Sequence, residues 1–390
     1  MVAISLFPAE GTIIFPEYWS FLESERGVSD RVDWVDGEYS SDALTFDLPP
    51  VWQSRFLKAT KVFDTSIGSL GAKHFFIRRR LKLQQKIAPS TEFLLAYFEQ
   101  SDFDTRQSHL VVEFDHFWNS HWGTGIYTEL AHEKKYDDLG LALLYRFSDH
   151  QLFRLYYTEV DFSRNERNEN SDMFKKAPKV YGFSYRNVSD SDHDNSFLAF
   201  GARWESPLEQ VGDVLYNPYR LERTQYYLQR FMGTEFDHKF LQWEDRTTFE
   251  TLSAQKKSST VRLLEFRKQK EQPSCRWGER CSRFWGLRWN QREWRIDFQE
   301  VLHQDWLPYL GFQWRLQQIH QWELSFDYVY HEGSGPTALR SSTDEDYDNN
   351  SRMNLAYEWL FIGGSLKLYF TCDLDHFSWE GGNGQFQWIF

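Results

Sequence analysis

The sequence predicts an all-β chain that closes into a transmembrane, antiparallel, up-and-down β-barrel of about 18 strands (about 16–20), with a short irregular amino-terminal segment. Three observations lead to this prediction: an unusual composition, a long series of segments that alternate apolar and polar residues, and an aromatic alternation at the carboxyl terminus. We expect the barrel to span residues 74–390 and the amino-terminal segment to span residues 1–73.

The composition combines many aromatic residues with a polar average. Phe, Tyr and Trp make up 18% of the 390 residues, yet the mean hydropathy is −0.64. A soluble core with so many aromatic residues would also be rich in Leu, Val and Ile. A membrane barrel instead places aromatic and aliphatic residues against lipid and polar residues against a wet lumen. No apolar run reaches the roughly 18 residues that a membrane helix needs.

From residue 74 onward, segments of about ten residues alternate with period 2, which is the length that tilted membrane strands need. Leu139, Leu141 and Leu143 would share one face of such a strand, and Ala142 and Leu144 the other. A soluble β-sandwich also alternates, but it rarely carries so many wide aromatic stripes. The predicted strands start near residues 74, 91, 109, 122, 138, 150, 178, 195, 221, 236, 258, 282, 293, 306, 320, 350, 364 and 380.

The last residues of the chain place Phe386, Trp388 and Phe390 on one face of a strand. This pattern resembles the closing strand of bacterial outer-membrane β-barrels, where a terminal Phe with aromatic residues at alternate positions acts as an assembly signal. The resemblance implies an integral protein of the Gram-negative outer membrane. It also implies membrane lipid, lipopolysaccharide and the barrel-assembly machinery as partners.

The segment over residues 1–73 differs in sequence pattern from the alternating segments in the rest of the chain. Residues 1–9 form a short apolar run that ends in Ala, like the tail of a signal peptide without its basic region. Pro49 and Pro50 interrupt the chain further on. We expect this segment to plug the lumen, to cap its periplasmic mouth, or to contact a periplasmic partner.

An even strand number keeps both chain ends on the periplasmic side. Counting backward from the carboxyl terminus predicts extracellular connections at residues 187–195, 271–280 and 331–349. The same count predicts periplasmic connections at residues 162–179 and 206–220, although long periplasmic connections are unusual.

Positions opposite the apolar stripes are expected to line the lumen. Barrels of 16–18 strands are wide enough for an aqueous channel, and charged walls would orient polar solutes and set ion selectivity. Alternatively, these charges pair with one another and brace the barrel or bind a plug. The predicted lumen residues are Glu113, Asp115, Arg146, Arg154, Arg203, Arg288, Arg295, Asp297, Arg315, Glu323, Asp327, Glu358 and Lys367.

The sequence therefore favours a porin-like channel or conduit that passes polar or charged solutes and performs no chemistry. Two alternatives keep the barrel: a sheath around a separate multihaem cytochrome, and a component of polysaccharide export. The chain has no Cys-X-X-Cys-His motif, so it would carry no c-type haem itself. We expect no cofactor, and the net charge of −13 argues against a nucleic-acid partner.

A hydrolase is an alternative from another functional class. His331 and Ser334 lie three residues apart where a strand enters the longest predicted outer loop, and such a pair can supply a base and a nucleophile. Acidic runs at residues 190–194 and 344–350 offer oxygen ligands but lack the Gly and Glu of an EF-hand loop. We therefore predict no metal site.

The chain contains three cysteines. Cys275 and Cys281 lie close together in a predicted loop, and Cys372 stands alone in a late strand. Outer-membrane proteins cross the oxidising periplasm, so a disulfide between Cys275 and Cys281 is one expectation and free thiols are the other.

Overall fold

The computed structural model describes residues 60–68, 76–101, 106–131, 138–159, 179–189, 194–210, 219–234, 237–250, 255–272, 280–296, 299–317, 319–334 and 349–389. Within these ranges the chain forms only strands and the turns or bends next to them, which confirms the all-β prediction. No helix in the described ranges is long and apolar enough to cross a membrane.

The chain forms a sheet of 18 strands, each antiparallel to the strands before and after it. The strands are β1 Lys61–Gly68, β2 Phe76–Ala88, β3 Thr91–Ser101, β4 Arg106–Phe117, β5 Trp122–Ala131, β6 Asp138–Ser148, β7 Gln151–Glu159, β8 Lys179–Val188, β9 Phe197–Gln210, β10 Tyr219–Gly233, β11 His238–Glu250, β12 Gln255–Gln272, β13 Arg280–Ile296, β14 Gln299–Leu316, β15 His320–Ser334, β16 Asn350–Phe361, β17 Gly364–Asp373 and β18 Ser378–Ile389.

The barrel closes where β1 meets β18. Phe63 lies opposite Trp388 across this seam, and β1 pairs on its other side with β2. On the inner face, Gln385 Nε2 donates a hydrogen bond to Asp64 Oδ1 at 3.2 Å. The described strands therefore leave no sheet edge unpaired, and the predicted closed barrel is confirmed.

Side chains alternate between a buried inner face and an exposed outer face. On β6, Leu141 is 54% exposed whereas Leu144 is 0% exposed, and on β15 Tyr328 is 44% exposed whereas Val329 is 1% exposed. The same alternation runs along β16. The apolar stripes of these three strands thus point outward, as the sequence predicted.

The predicted number of strands, 18, is right, but only because one missed strand is offset by another strand that was counted twice. Strand β1, Lys61–Gly68, was missed, so the barrel begins before residue 74 and the boundary placed at residue 73 is wrong. Strand β13, Arg280–Ile296, was counted twice, with starts near residues 282 and 293. Part of the predicted amino-terminal segment, residues 1–59, lies outside the described residues.

Strands β12 to β15 are longer than a membrane requires, which explains the double count. They contain 18, 17, 18 and 15 residues, whereas about 9–11 residues span the bilayer. The excess length protrudes into water, where polar residues suit both faces. In β13 the polar run Asn290, Gln291, Arg292 and Glu293 resembles a turn in sequence, although pairing with β14 continues through it without a register shift.

The corrected strand order changes the sides of four predicted connections. Strands β7, β9 and β15 run toward one end of the barrel, whereas β8 and β12 run toward the other end, where short turns follow β2 and β16. Bacterial barrels have short periplasmic turns and longer extracellular loops. We therefore assign the end reached by β7, β9 and β15 to the extracellular side and the other end to the periplasmic side, which removes the long periplasmic connections that the sequence had implied.

The outer surface is that of a membrane protein. Large apolar side chains on several strands are exposed around the barrel, including Ile126, Leu155, Leu264, Trp285 and Leu310. A closed barrel satisfies every ladder hydrogen bond internally, as the hydrocarbon layer of a membrane demands. The chain is an integral β-barrel protein of the bacterial outer membrane.

Candidate functional site

The inner wall of the barrel is rich in charged and amide side chains. Arg154 on β7 and Glu113 on β4 form a deeply buried ion pair, with side chains 1% and 2% exposed. Arg154 Nη2 lies 3.0 Å from Glu113 Oε1, and Nη1 donates to Oε2 at 3.3 Å. A hydrogen bond between a guanidinium and a carboxylate, in which both groups are charged, is one of the stronger kinds in proteins.

This pair spans four consecutive strands. The two strands between β4 and β7 carry Tyr127 and Gly140, which lie opposite each other. The Tyr127 ring lies over Gly140, where an added Cβ would overlap it. Arg154 Cζ lies 4.6 Å from the ring centroid, and the Tyr127 hydroxyl hydrogen-bonds to Thr158. We call this arrangement a four-strand bridge: an Arg–carboxylate pair on the outer two strands, with an aromatic ring and a glycine between.

The geometry explains why a glycine is needed. Three gaps of about 4.8 Å separate the first and fourth strands, roughly 14 Å along the wall. Two extended side chains cover that span only by lying along the wall. The ring beneath them must therefore also lie flat, and only a residue without a Cβ leaves room for it.

A second four-strand bridge lies one strand earlier. Arg146 on β6 donates from Nη2 to Glu92 Oε1 on β3 at 2.9 Å. Arg146 Cζ lies 3.7 Å from the centroid of Phe117 on β4. Phe117 faces Gly123 on β5, where a Cβ would lie 2.9 Å from Phe117 Cδ1. The same order of carboxylate, ring, glycine and arginine is thus repeated.

A third four-strand bridge occurs on the opposite half of the barrel with the charges reversed. Arg267 on β12 donates from Nη2 to Glu323 Oε2 on β15 at 3.1 Å. Arg267 Cζ lies 4.0 Å from the Phe284 ring centroid, and Phe284 on β13 faces Gly311 on β14. Here the arginine comes first along the chain and the carboxylate last.

A network around Glu265 adjoins the third bridge. Arg288 Nη2 donates to Glu265 Oε2 at 3.1 Å, and the Tyr309 hydroxyl donates to Oε1 at 3.2 Å. His238 Nε2 lies 3.8 Å from the same oxygen. The Tyr309 ring lies over Gly286 on the neighbouring strand. One carboxylate thereby joins β11, β12, β13 and β14.

Uncharged polar groups continue the inner wall toward β17. Asn354 on β16 donates to Asp327 on β15, and Thr371 Oγ1 on β17 donates to Asn354 Oδ1 at 2.9 Å. Gln321 Nε2 donates to Glu358 Oε2 at 3.4 Å. These contacts link neighbouring strands rather than crossing the lumen.

Most of the predicted lumen residues lie on the inner face. Alternation and pairing register place Glu113, Asp115, Arg146, Arg154, Arg203, Arg288, Arg315, Glu323, Asp327, Glu358 and Lys367 there. Asp297 lies outside the described residues.

Arg295 is the exception, and its predicted lumen position is wrong. Continuous register in β13 places it on the same side as Trp285 and Leu287, away from the lumen. It binds Glu293 at 2.5 Å and Glu300 at 3.4 Å. The error arose because aromatic residues no longer mark the lipid face where the strand protrudes into water.

The inner wall is not polar throughout. Two buried apolar clusters line its periplasmic half, which the sequence analysis did not anticipate. One joins strands β3 to β7 and the other joins β8 to β11. Their members are Leu94, Ala96, Val111, Phe117, Tyr127, Ala142, Leu144 and Leu152, and Val188, Phe197, Ala199, Tyr227, Phe231 and Phe240.

Sequence reasoning also missed Glu92, Glu265 and Arg267, which complete the bridges and the network. The signal that identifies the bridges is a large aromatic residue and a glycine at inward positions of adjacent strands. Tyr127 with Gly140 is one such pair. Recognising it requires the pairing register, which the sequence alone does not supply.

The proposed hydrolase pair is not assembled. His331 Nδ1 lies 2.6 Å from Asp305 Oδ1 on the inner face, and Asn290 Nδ2 donates to Asp305 Oδ2 at 3.4 Å. Ser334 is exposed and lies on the opposite side of β15 by strand alternation. The imidazole therefore has a carboxylate partner but does not face Ser334.

The cysteines and the closing strand were also singled out in the sequence. Cys281 is disulfide-bonded and Cys372 is a free thiol, while Cys275 lies outside the described residues. Phe386 faces outward and stacks on Phe361 at a centroid distance of 5.7 Å. Trp388 is 46% exposed on the same side, and Phe390 is not among the described residues.

The metal prediction concerned two acidic runs, most of whose residues the structure does not describe. Residues 190–193 and 344–348 lie outside the described ranges. Among the residues that the structure does describe, no group of three or more His, Cys, Asp or Glu side chains could hold a metal ion.

Comparison with known proteins found neither a matching family model nor a matching curated protein. Solved structures with a similar fold include a loop-deletion mutant of OmpT, an outer membrane protein of Vibrio cholerae, with 7% identity and a TM-score of 0.40, covering 84% of this chain and 97% of that one. The siderophore receptor PirA from Pseudomonas aeruginosa has 10% identity and a TM-score of 0.34, covering 85% and 79%.

A mutant of the Rh. blastica porin has 8% identity and a TM-score of 0.30, covering 85% of this chain and 98% of that chain. Likenesses this distant carry no argument about the function of this chain.

Proposed function

We propose that this protein is a porin-like channel or conduit through which polar or charged solutes cross the outer membrane. The observation that supports it best is the set of four-strand bridges. In each bridge the long charged side chains run along the wall instead of across the lumen, as in the pair of Arg154 and Glu113. A barrel of 18 strands is wide enough for an aqueous passage when its side chains lie flat.

The rest of the inner wall suits the passage of polar solutes. Water reaches part of the wall formed by β12 to β17, where Arg267 and Glu323 are 17% and 15% exposed. Charged and amide groups on that wall can replace some of the hydration of a passing solute. The proposal requires no catalysis and no cofactor.

A sheath around a protein guest is the second candidate, and one observation favours it. The apolar clusters at the periplasmic half of the inner wall are buried, with Val111 and Leu144 both 0% exposed. Apolar side chains facing an open aqueous lumen would be costly. Their burial suits a lumen in which a protein segment, from this chain or from a partner, lies over this part of the wall.

Single-channel recording in a planar bilayer tests both candidates. The full-length chain and a variant lacking residues 1–59 would be compared, since the deletion ends before β1. Stable current steps from the full-length chain support the channel. Silence that changes to current upon deletion assigns residues 1–59 as a plug. Silence in both contradicts an autonomous channel and favours the sheath, which co-purification from native membranes would then address.

A further inference from the structure

We infer that the lumen prefers anions, because water reaches its arginines more readily than the carboxylates that bind them. This inference rests on the proposed channel function and adds a class of solute. It runs against the overall charge of the chain, which is −13.

Two ion pairs show the pattern directly. In the pair of Arg146 and Glu92 the arginine side chain is 20% exposed and the carboxylate side chain 9%. In the pair of Arg288 and Glu265 the values are 21% and 7%. Each pair is therefore a dipole whose positive end faces the water of the lumen. The third such pair, Arg267 with Glu323, is balanced at 17% and 15%.

The other charged side chains on the inner face show the same contrast between exposed cations and buried carboxylates. Partly exposed cations at inward positions also include Arg203, Arg315 and Lys367. Among the inward carboxylates whose side chains the structure describes, all are by contrast buried, apart from Glu323 and from Glu271 on the periplasmic rim. The rim residue Glu271 is offset by exposed Lys86 and Arg280 at inward positions of the same rim. The buried carboxylates are Asp64, Glu92, Glu113, Asp115, Asp138, Glu244, Glu265, Asp305, Asp327, Glu358 and Asp373.

Buried cations do not reverse this balance. Arg80, Lys82, Arg154, Arg186 and Arg352 are also buried inside the barrel, so the inward charges of the described side chains roughly cancel. What differs is the charge that a solute meets at the water boundary. In a lumen with low-dielectric walls, charge at that boundary sets the local concentration of counter-ions.

The chemistry of the exposed groups defines the solute class. Guanidinium groups present several N–H donors in a plane and match carboxylate and phosphate oxygens. Rings of Arg and Lys are the lining expected of anion-conducting pores. We expect small inorganic and carboxylate anions to pass more easily than alkali cations.

The test is the reversal potential of the full-length protein in a planar bilayer under a potassium chloride gradient. We expect a higher permeability for chloride than for potassium. Arg288→Gln should lower the permeability ratio by about fivefold, the scale of one unit charge acting on a nearby ion in water. Glu265 keeps Tyr309 as a hydrogen-bond partner in this variant.

Three further variants isolate the effect of lumen charge. Arg288→Lys keeps the charge and should keep the ratio, whereas Glu323→Gln should raise it. Arg295→Gln removes a cation from the outward side of β13 and should leave the ratio unchanged. Heat-modifiable gel migration verifies that each variant is folded.

The outcomes separate this inference from the channel proposal. Current with a preference for potassium, or a ratio that does not respond to Arg288→Gln, overturns the anion preference and leaves the channel standing. Absence of current from both the full-length chain and the chain lacking residues 1–59 overturns the channel, and the anion preference with it.

Discussion

The guanidinium of Arg154 binds the carboxylate of Glu113 across two intervening strands, and both side chains are almost completely buried. The pair closes over Tyr127, whose ring in turn closes over Gly140. Four strands are thereby joined by side chains in addition to their backbone ladders. The effects on stability of substitutions at these four positions should therefore depend on one another.

Glu113→Gln should destabilise the barrel by about 3–5 kcal/mol, because it leaves the buried charge of Arg154 without its carboxylate. Urea titration in lipid vesicles, followed by Trp fluorescence, measures the change in free energy of unfolding. The double variant Arg154→Gln, Glu113→Gln should recover much of that loss, since it removes both charges of the ion pair.

Lys268→Gln is the matched control for that series. Lys268 binds Asp237 at 2.6 Å, but the side chains are 54% and 44% exposed, and exposed pairs contribute about 0–1 kcal/mol. Equal effects of Glu113→Gln and Lys268→Gln would contradict the importance assigned to the buried pair.

Gly140→Ala should destabilise the barrel, because the new Cβ would displace the Tyr127 ring and disturb its contact with Arg154. We expect a cost of about 1–3 kcal/mol, typical of overpacking. The cost should fall when Tyr127→Ala is introduced first, which a double-mutant cycle would measure. Gly384→Ala is the control, since its nearest neighbour, Leu368 Cδ2, would be 3.6 Å away. A similar cost at both glycines would refute the proposed packing.

Two truncations should behave differently. Deleting residues 1–59 leaves β1 in place, so the chain should still form a barrel that migrates faster before heating than after it. Deleting residues 1–73 removes β1 and exposes the edges of β2 and β18, which a membrane barrel does not tolerate. Normal heat-modifiable migration of the shorter chain would contradict the assignment of β1 to the barrel.

Thiol labelling should modify one cysteine of the denatured, unreduced protein and all three after reduction. The single site is Cys372, the free thiol, because Cys281 is disulfide-bonded. Peptide mass spectrometry then identifies the partner of Cys281, which we predict to be Cys275. Strand β12 ends and β13 begins at the end assigned to the periplasm, the compartment in which disulfides form. Labelling of Cys281 without reduction would refute the bond.

The features readable from the sequence are those that depend on alternation within one strand. Leu141 outward and Leu144 inward follow from period 2 alone, and the same rule placed most charged residues on the inner wall. The rule fails where a strand leaves the membrane, because polar residues then suit either face. That failure misplaced Arg295 and divided β13.

The features that could not be predicted from the sequence are those that depend on the pairing register between strands. Arg146 and Glu92 are 54 residues apart in the chain, and nothing in either segment marks the other as its partner. The short strand β1 was missed for a related reason: its place in the barrel comes from pairing with β18 rather than from a wide apolar stripe of its own.

The four-strand bridges also bear on the order in which the barrel can be made. They join residues 41, 54 and 56 positions apart, whereas the seam between Asp64 and Gln385 joins residues 321 positions apart. Contacts close in the chain require less loop-closure entropy and form early. Groups of four hairpin-linked strands can therefore acquire their internal charge pairs as curved sheets before the ends meet. Pairing of β1 with β18 is then the late, slow step. An intermediate in which this seam is still open would already contain the ion pairs of the inner wall.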